Sequence, residues 1–96
     1  METRHTDPND DGTHVLGVAR KGFRGRLAAI VTTEGVGRLP AEEQERRLIE
    51  LGFVEGAALE VLHEGPIGRD PIAVRVGSAT VALRRSDAMA ILARPD

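Results

Sequence analysis

Apolar positions along this chain follow two periods. Over 26–31 the period is two: Leu27, Ala29 and Val31 alternate with Arg26, Ala28 and Ile30. That pattern predicts a strand buried on one face and largely on the other. Gly22 and Gly25 stand where it begins and predict a bend or bulge. Val15–Ala19 is a shorter apolar stretch, read as a first strand or an edge segment. The same period returns at Ala57, Leu59, Val61 and His63, set against Ala58, Glu60, Leu62 and Glu64. A further strand is predicted where Ile72, Val74 and Val76 alternate with Ala73 and Arg75. Gly77-Ser78 has the chemistry of a two-residue hairpin turn. Ala79, Val81 and Leu83 then return antiparallel, opposite Thr80, Ala82 and Arg84.

A helical period separates the strands. Pro40 suits a first helical position, where its missing N–H is unneeded, and Glu42 and Glu43 favour the first turn. Glu42 with Arg46, and Glu43 with Arg47, are spaced for pairing one turn apart. Leu48, Ile49 and Leu51 form the apolar end, and Gly52 is placed to stop the helix in a left-handed cap. A helix over Pro40–Leu51 follows. A second, short helix is predicted near the end of the chain: Ser86 as N-cap, Asp87 in the first turn, and Ala88, Ile91 and Leu92 on the apolar side. Thr32–Leu39 and Gly65–Pro71 read as loops on their glycine and proline content. The fold class is mainly β with added α-helices. So many short strands in so little chain favour a small curled barrel, whose closure removes exposed edges.

Composition narrows the function. The 96 residues make one domain at most. Residues 1–14 hold almost nothing apolar and are predicted to be a flexible tail, leaving 15–96 as the barrel. With two phenylalanines and no tyrosine or tryptophan, the core must be aliphatic. The absence of cysteine excludes disulfides, thiolate metal sites and cysteine nucleophiles. A net charge of −2 gives no reason to expect nucleic-acid binding. Arg69, Arg75, Arg84 and Arg85 make a basic group, but the aromatic platforms of a nucleic-acid barrel are missing. Surface arginines balanced by Glu60 and Glu64 are the plainer reading. No apolar run is long enough to cross a membrane, and the polar amino terminus is no secretory signal, so a cytoplasmic location is expected.

Candidate chemistry is sparse. No nucleophile–base pair and no phosphate loop is present, so no enzyme activity is expected. His5 and His14 lie among Asp7, Asp10 and Asp11, but nothing in a tail fixes ligands in space. His63-Glu64 is the one metal-like pair outside it, and ferrous iron accepts imidazole and carboxylate. Neighbouring strand residues point to opposite faces, which works against a shared ion, although Asp70 has a route from the loop. The Gly65–Pro71 loop is the stronger candidate. Two prolines and two glycines make it a shaped protrusion, and Ile67 at its centre is an apolar residue suited to a protein contact.

The run Arg47-Leu48-Ile49-Glu50-Leu51-Gly52-Phe53-Val54-Glu55-Gly56 resembles the core motif of the FeoA family, small partners of bacterial ferrous iron transport. The resemblance continues through Leu59–His63, the Pro66 and Pro71 loop, Val74–Gly77, Val81–Arg84 and Ala88–Ile91, with Gly22–Ile30 upstream. It implies an SH3-like β-barrel and no required cofactor, with Fe(II) the candidate metal. It also implies a cytosolic accessory that reaches the membrane through its partner, the GTPase-permease FeoB. The alternative it carries is a divalent-metal carrier or sensor, akin to the SH3-like domain of iron-dependent repressors. On this reading the contact surface is Leu51, Gly52, Phe53 and Gly56 with Pro66, Ile67, Gly68, Arg69, Asp70 and Pro71, and His63 and Glu64 are the metal candidates. Whether copies associate is left open. The acidic tail and the 32–39 segment extend beyond the family pattern.

Overall fold

Strand alternation in the sequence becomes a single antiparallel ladder in the computed structural model, which describes residues 12–32 and 39–96. The elements in chain order are β1 (His14–Val15), a 3-10 turn (Leu16–Val18), β2 (Arg24–Ile30) and α1 (Ala41–Glu50), then β3 (Ala58–Ile67), β4 (Asp70–Val76), β5 (Ala79–Leu83), α2 (Arg85–Ala88) and β6 (Ile91–Pro95). The six strands lie in the order β1-β6-β2-β3-β4-β5. The sheet curls around Leu16, Leu27, Leu48, Phe53, Val61, Val74 and Ile91, all buried. The expected tail falls mostly on residues 1–11, outside the described residues, as is most of the 32–39 loop. His14, placed in the tail by sequence, is a strand residue opposite Ala93 and stacks on Phe23.

The end of α1 follows from its sequence. Gly52 takes a φ of +109°, open to glycine but strained for other residues. Its N–H donates to the Ile49 carbonyl and the Phe53 N–H to the Leu48 carbonyl, both at 3.0 Å. Those two bonds are a Schellman cap, whose usual apolar contact joins the residue after the glycine to the last helical turn. Here Phe53 and Leu48, the two residues so placed, both lie in the buried core. The pairs Glu42–Arg46 and Glu43–Arg47, expected from their spacing, do not close to ion-pair distance. Ile49, expected on the apolar side, is exposed.

Three expectations are corrected. First, Ser86 is not the cap of α2. The helix starts at Arg85, and its Arg85 N–H donates instead to the Asp70 Oδ1 at 2.9 Å. Second, 91–95 is not helical. Ala88, Ile91 and Leu92 fit a helical spacing, but the stretch pairs with both β1 and β2, burying Ile91 and Ala93. Over so few residues the two periods cannot be told apart, and pairing across the sheet decides. Third, Gly65–Pro71 is not a seven-residue loop. β3 and β4 run on into it as a hairpin, closed by Ile67 opposite Asp70, with only Gly68-Arg69 as the turn. Both turn residues have positive φ, 66° and 59°, the geometry that follows the twist of the flanking strands.

The ladder is not closed by hydrogen bonds, against expectation: β1 and β5 each pair on one side only. The 3-10 turn packs on α2 across the gap. Gly17 makes that approach possible, since an added Cβ would lie 2.7 Å from the Arg85 carbonyl oxygen. Gly77 has a φ of +60°, and Val76 pairs with Ala79, so the expected two-residue turn at Gly77-Ser78 is present.

Candidate functional site

The β3–β4 hairpin carries Ile67, the most exposed large hydrophobic among the described residues, and one arginine braces it. β3 pairs Val61 with Val74 but His63 with Ala73, so an extra residue, Leu62, is accommodated as a bulge. The bulge changes the predicted faces. His63 turns to solvent, while Glu64 comes opposite the buried Ile72 at the barrel rim. There the Glu64 side chain keeps only 17% of its exposure.

Arg85 stands beside it, also 17% exposed. Its Nη2 donates to Glu64 Oε2 at 2.9 Å. Its Nη1 donates to the carbonyls of Gly17, at 3.2 Å, and Ala19, at 2.7 Å. Its Nε donates to the Arg69 carbonyl at 2.8 Å. With the Asp70 carboxylate on its backbone N–H, this one residue ties the hairpin turn, β3 and the 3-10 turn together. Arg20 Nε adds a 3.3 Å bond to Glu64 Oε2, and Arg69 Nε lies 4.0 Å from Oε1. Burial pushes the Glu64 carboxyl up. The Lys21 backbone N–H and the guanidiniums of Arg20, Arg85 and Arg69 more than offset it, holding the carboxyl below its ordinary value.

The tip so held is apolar. Ile67 is 84% exposed, and Pro66, Gly68, Arg69 and Pro71 are exposed around it. Asp70 is partly buried, spent on capping α2. At Gly65 the strands come so close that an added Cβ would collide with the Asp70 carbonyl.

The turn after α1 divides the other predicted contacts. Phe53 has no exposed surface, so it is not a contact residue but a core residue fixed by the Schellman cap. Leu51 packs against the core and Gly52 is half-buried. Val54, Glu55 and Gly56 are what this turn shows to solvent. His63 and Glu64 do not converge, and among the described residues no three His, Asp or Glu side chains gather closely enough to hold an ion. Sequence reading missed Arg85, taken for a balanced surface arginine. Its signal is weak: the second of two consecutive arginines after a strand, with a glutamate on the rim it faces.

A curled antiparallel sheet of this size, with a short helix filling the gap in its ladder, defines an SH3-like barrel module. The comparisons then give the family. The FeoA domain model matches residues 15–95, and the chain belongs to the FeoA family, associated with ferrous iron transport. It is similar to a fusion of Fe(2+) transport protein A with the Fe(2+) transporter FeoB from Porphyromonas gingivalis, 39% identical over 67 residues. That match covers 70% of this chain but 7% of the fusion protein. The zinc complex of Stenotrophomonas maltophilia FeoA, described as a prokaryotic SH3-domain protein, superposes with a TM-score of 0.66 at 28% identity, covering 84% of this chain and 87% of that one. A manganese-dependent transcriptional repressor bound to manganese superposes at 0.72 and 25% identity, covering 95% of this chain and 38% of that one. Among the described residues no helix is long and apolar enough to cross a membrane.

Proposed function

We propose that this chain is a non-enzymatic accessory of ferrous iron uptake that docks on the cytosolic part of a FeoB-type GTPase-permease. It would sit in the cytoplasm and meet the membrane only through that partner. The observation that carries this is Ile67, an aliphatic side chain 84% exposed at the tip of a hairpin that Arg85 holds in place. An apolar anchor ordered before binding spares the complex the entropy of ordering it afterwards. Pro66 and Pro71 stiffen the same tip, and Val54–Gly56 offers a second exposed turn. The fusion of the two proteins in Porphyromonas gingivalis supports a working contact between them. A pull-down with the cytosolic domain of FeoB tests the reading. Wild type binds and Ile67→Asp does not. Equal capture of both would remove the hairpin from the interface, and no capture of wild type would remove FeoB as the partner.

A second reading is a divalent-metal carrier or sensor acting through His63 and Glu64, with Fe(II) as ligand. Its support is the zinc and manganese held by the two structural relatives. The arginines around Glu64 work against it here, since a cation must displace them. Calorimetry with Fe(II), Mn(II) or Zn(II) decides: micromolar binding that His63→Ala abolishes favours this reading over the first.

A further inference from the structure

A cleft of about 340 Å³ lies between α1, β5 and the start of α2, with Pro71 of β4 on its lining. Leu48, Ala82 and Leu83 make it apolar, and Arg47, Arg84 and Asp87 stand on its lining. Three observations distinguish it from a surface dent. Gln44 lines it, is only 7% exposed, and its side-chain amide has no hydrogen-bond partner among the described residues. Buried amides nearly always have a partner, and leaving one without costs stability. Among the described residues neither Arg47 nor Arg84 has an acidic side chain within ion-pair distance, and with Asp87 the lining carries one net positive charge. Ala82 and Leu83 lie on β5 at the sheet edge, and alternate residues of β5 turn their backbone N–H and C=O away from β4.

We infer that this cleft binds an extended peptide segment of a partner protein, one that carries an apolar side chain close to a carboxylate. The apolar side chain fills the space over Leu48 and Leu83. Gln44 offers one donor and one acceptor together, which matches a peptide group on the incoming chain. Arg47 and Arg84 receive the carboxylate, a charge-assisted contact that arginine makes in two-pronged form. The backbone of the segment continues the ladder on the free side of β5, as peptides do on other sheet edges. The inference does not need FeoB as the donor of the segment, and Ile67 takes no part in it.

The test is a titration of the 15N-labelled full chain with three capped six-residue peptides. One carries a leucine two residues from a glutamate, one replaces that glutamate with glutamine, and one replaces the leucine with serine. The first should shift the amide signals of Gln44, Arg47 and Ala82–Arg84 and saturate below millimolar concentration. The other two, and the Arg84→Glu chain with the first, should bind at least about tenfold more weakly, the loss of one such contact. Gln44→Leu should move two readings in opposite directions, raising the thermal midpoint while weakening the peptide. Ile67→Asp should bind the peptide as wild type does, whatever it does to FeoB. The inference is overturned if the three peptides bind alike or not at all at millimolar concentration. It is also overturned if Gln44→Leu leaves peptide binding unchanged, or if acetate alone gives the same shifts at the same concentration.

Discussion

Two turns of this molecule look alike in sequence and do opposite work. Leu51–Gly56 and Gly65–Pro71 each combine two glycines with large apolar residues, Phe53 prominent in the first and Ile67 alone in the second. In the first, the glycine ends a helix and the next residue, Phe53, is drawn under the barrel by the Schellman bonds. In the second, the glycine belongs to a strand hairpin, and Ile67 ends a strand whose inner neighbours have already closed the core. An apolar residue after a helix-capping glycine is carried inward. One at the tip of a hairpin that outruns its sheet is carried out. The difference lies in the backbone around the residue and not in the residue itself.

That contrast can be broken at several points. Phe53→Ala should cost about 3–5 kcal/mol, because a filled core site is emptied, and urea unfolding will read it. A loss below about 1 kcal/mol would return Phe53 to the surface. Arg85→Met should cost about 2 kcal/mol, since three backbone carbonyls lose a charged donor at once. Hydrogen exchange should then rise at 17–20 and 68–71 and stay unchanged in α1; a uniform rise would show that Arg85 supports the whole barrel and not the hairpin.

The acid limb gives a smaller effect. The folded Glu64 carboxyl titrates below its ordinary value, so its contribution is complete above the usual carboxylate range and fades as pH falls through the lowered value. Glu64→Gln should therefore flatten the fall of thermal midpoint with acid, and an unchanged slope would mean that other carboxylates carry it. Least affected of all should be the stability of Ile67→Asp, within about 0.5 kcal/mol of wild type, as for other exposed sites. Its effect should appear only in the FeoB pull-down.

Much of the architecture was legible because it rests on local signals. The limits of α1 followed from Pro40, two early glutamates and Gly52, and the Gly77-Ser78 hairpin from turn chemistry. What failed depends on distant pairing. β6 became a strand because β1 and β2 offered partners on both its sides, which no window of five residues reveals. The bulge at Leu62 reversed the faces of His63 and Glu64, and an inserted residue leaves no mark on simple alternation. Arg85 gained its role from carbonyls 66 and 68 residues earlier in the chain. The exposed tip was anticipated, though as a loop; the buried member of the contact set, Phe53, was not, since its motif records a helix ending and not a surface.

The pairing of β1 with β6 has a consequence for how this barrel is joined to other proteins. His14 lies opposite Ala93, so the chain enters the sheet beside the point where it leaves. A tether joined at His14 or just beyond Pro95 would thus start from one region of the sheet. It follows that a chain trimmed to residues 14–96 and circularly permuted, with those ends bridged by a few glycines and new ones opened at Gly77-Ser78, should still fold and still present Ile67.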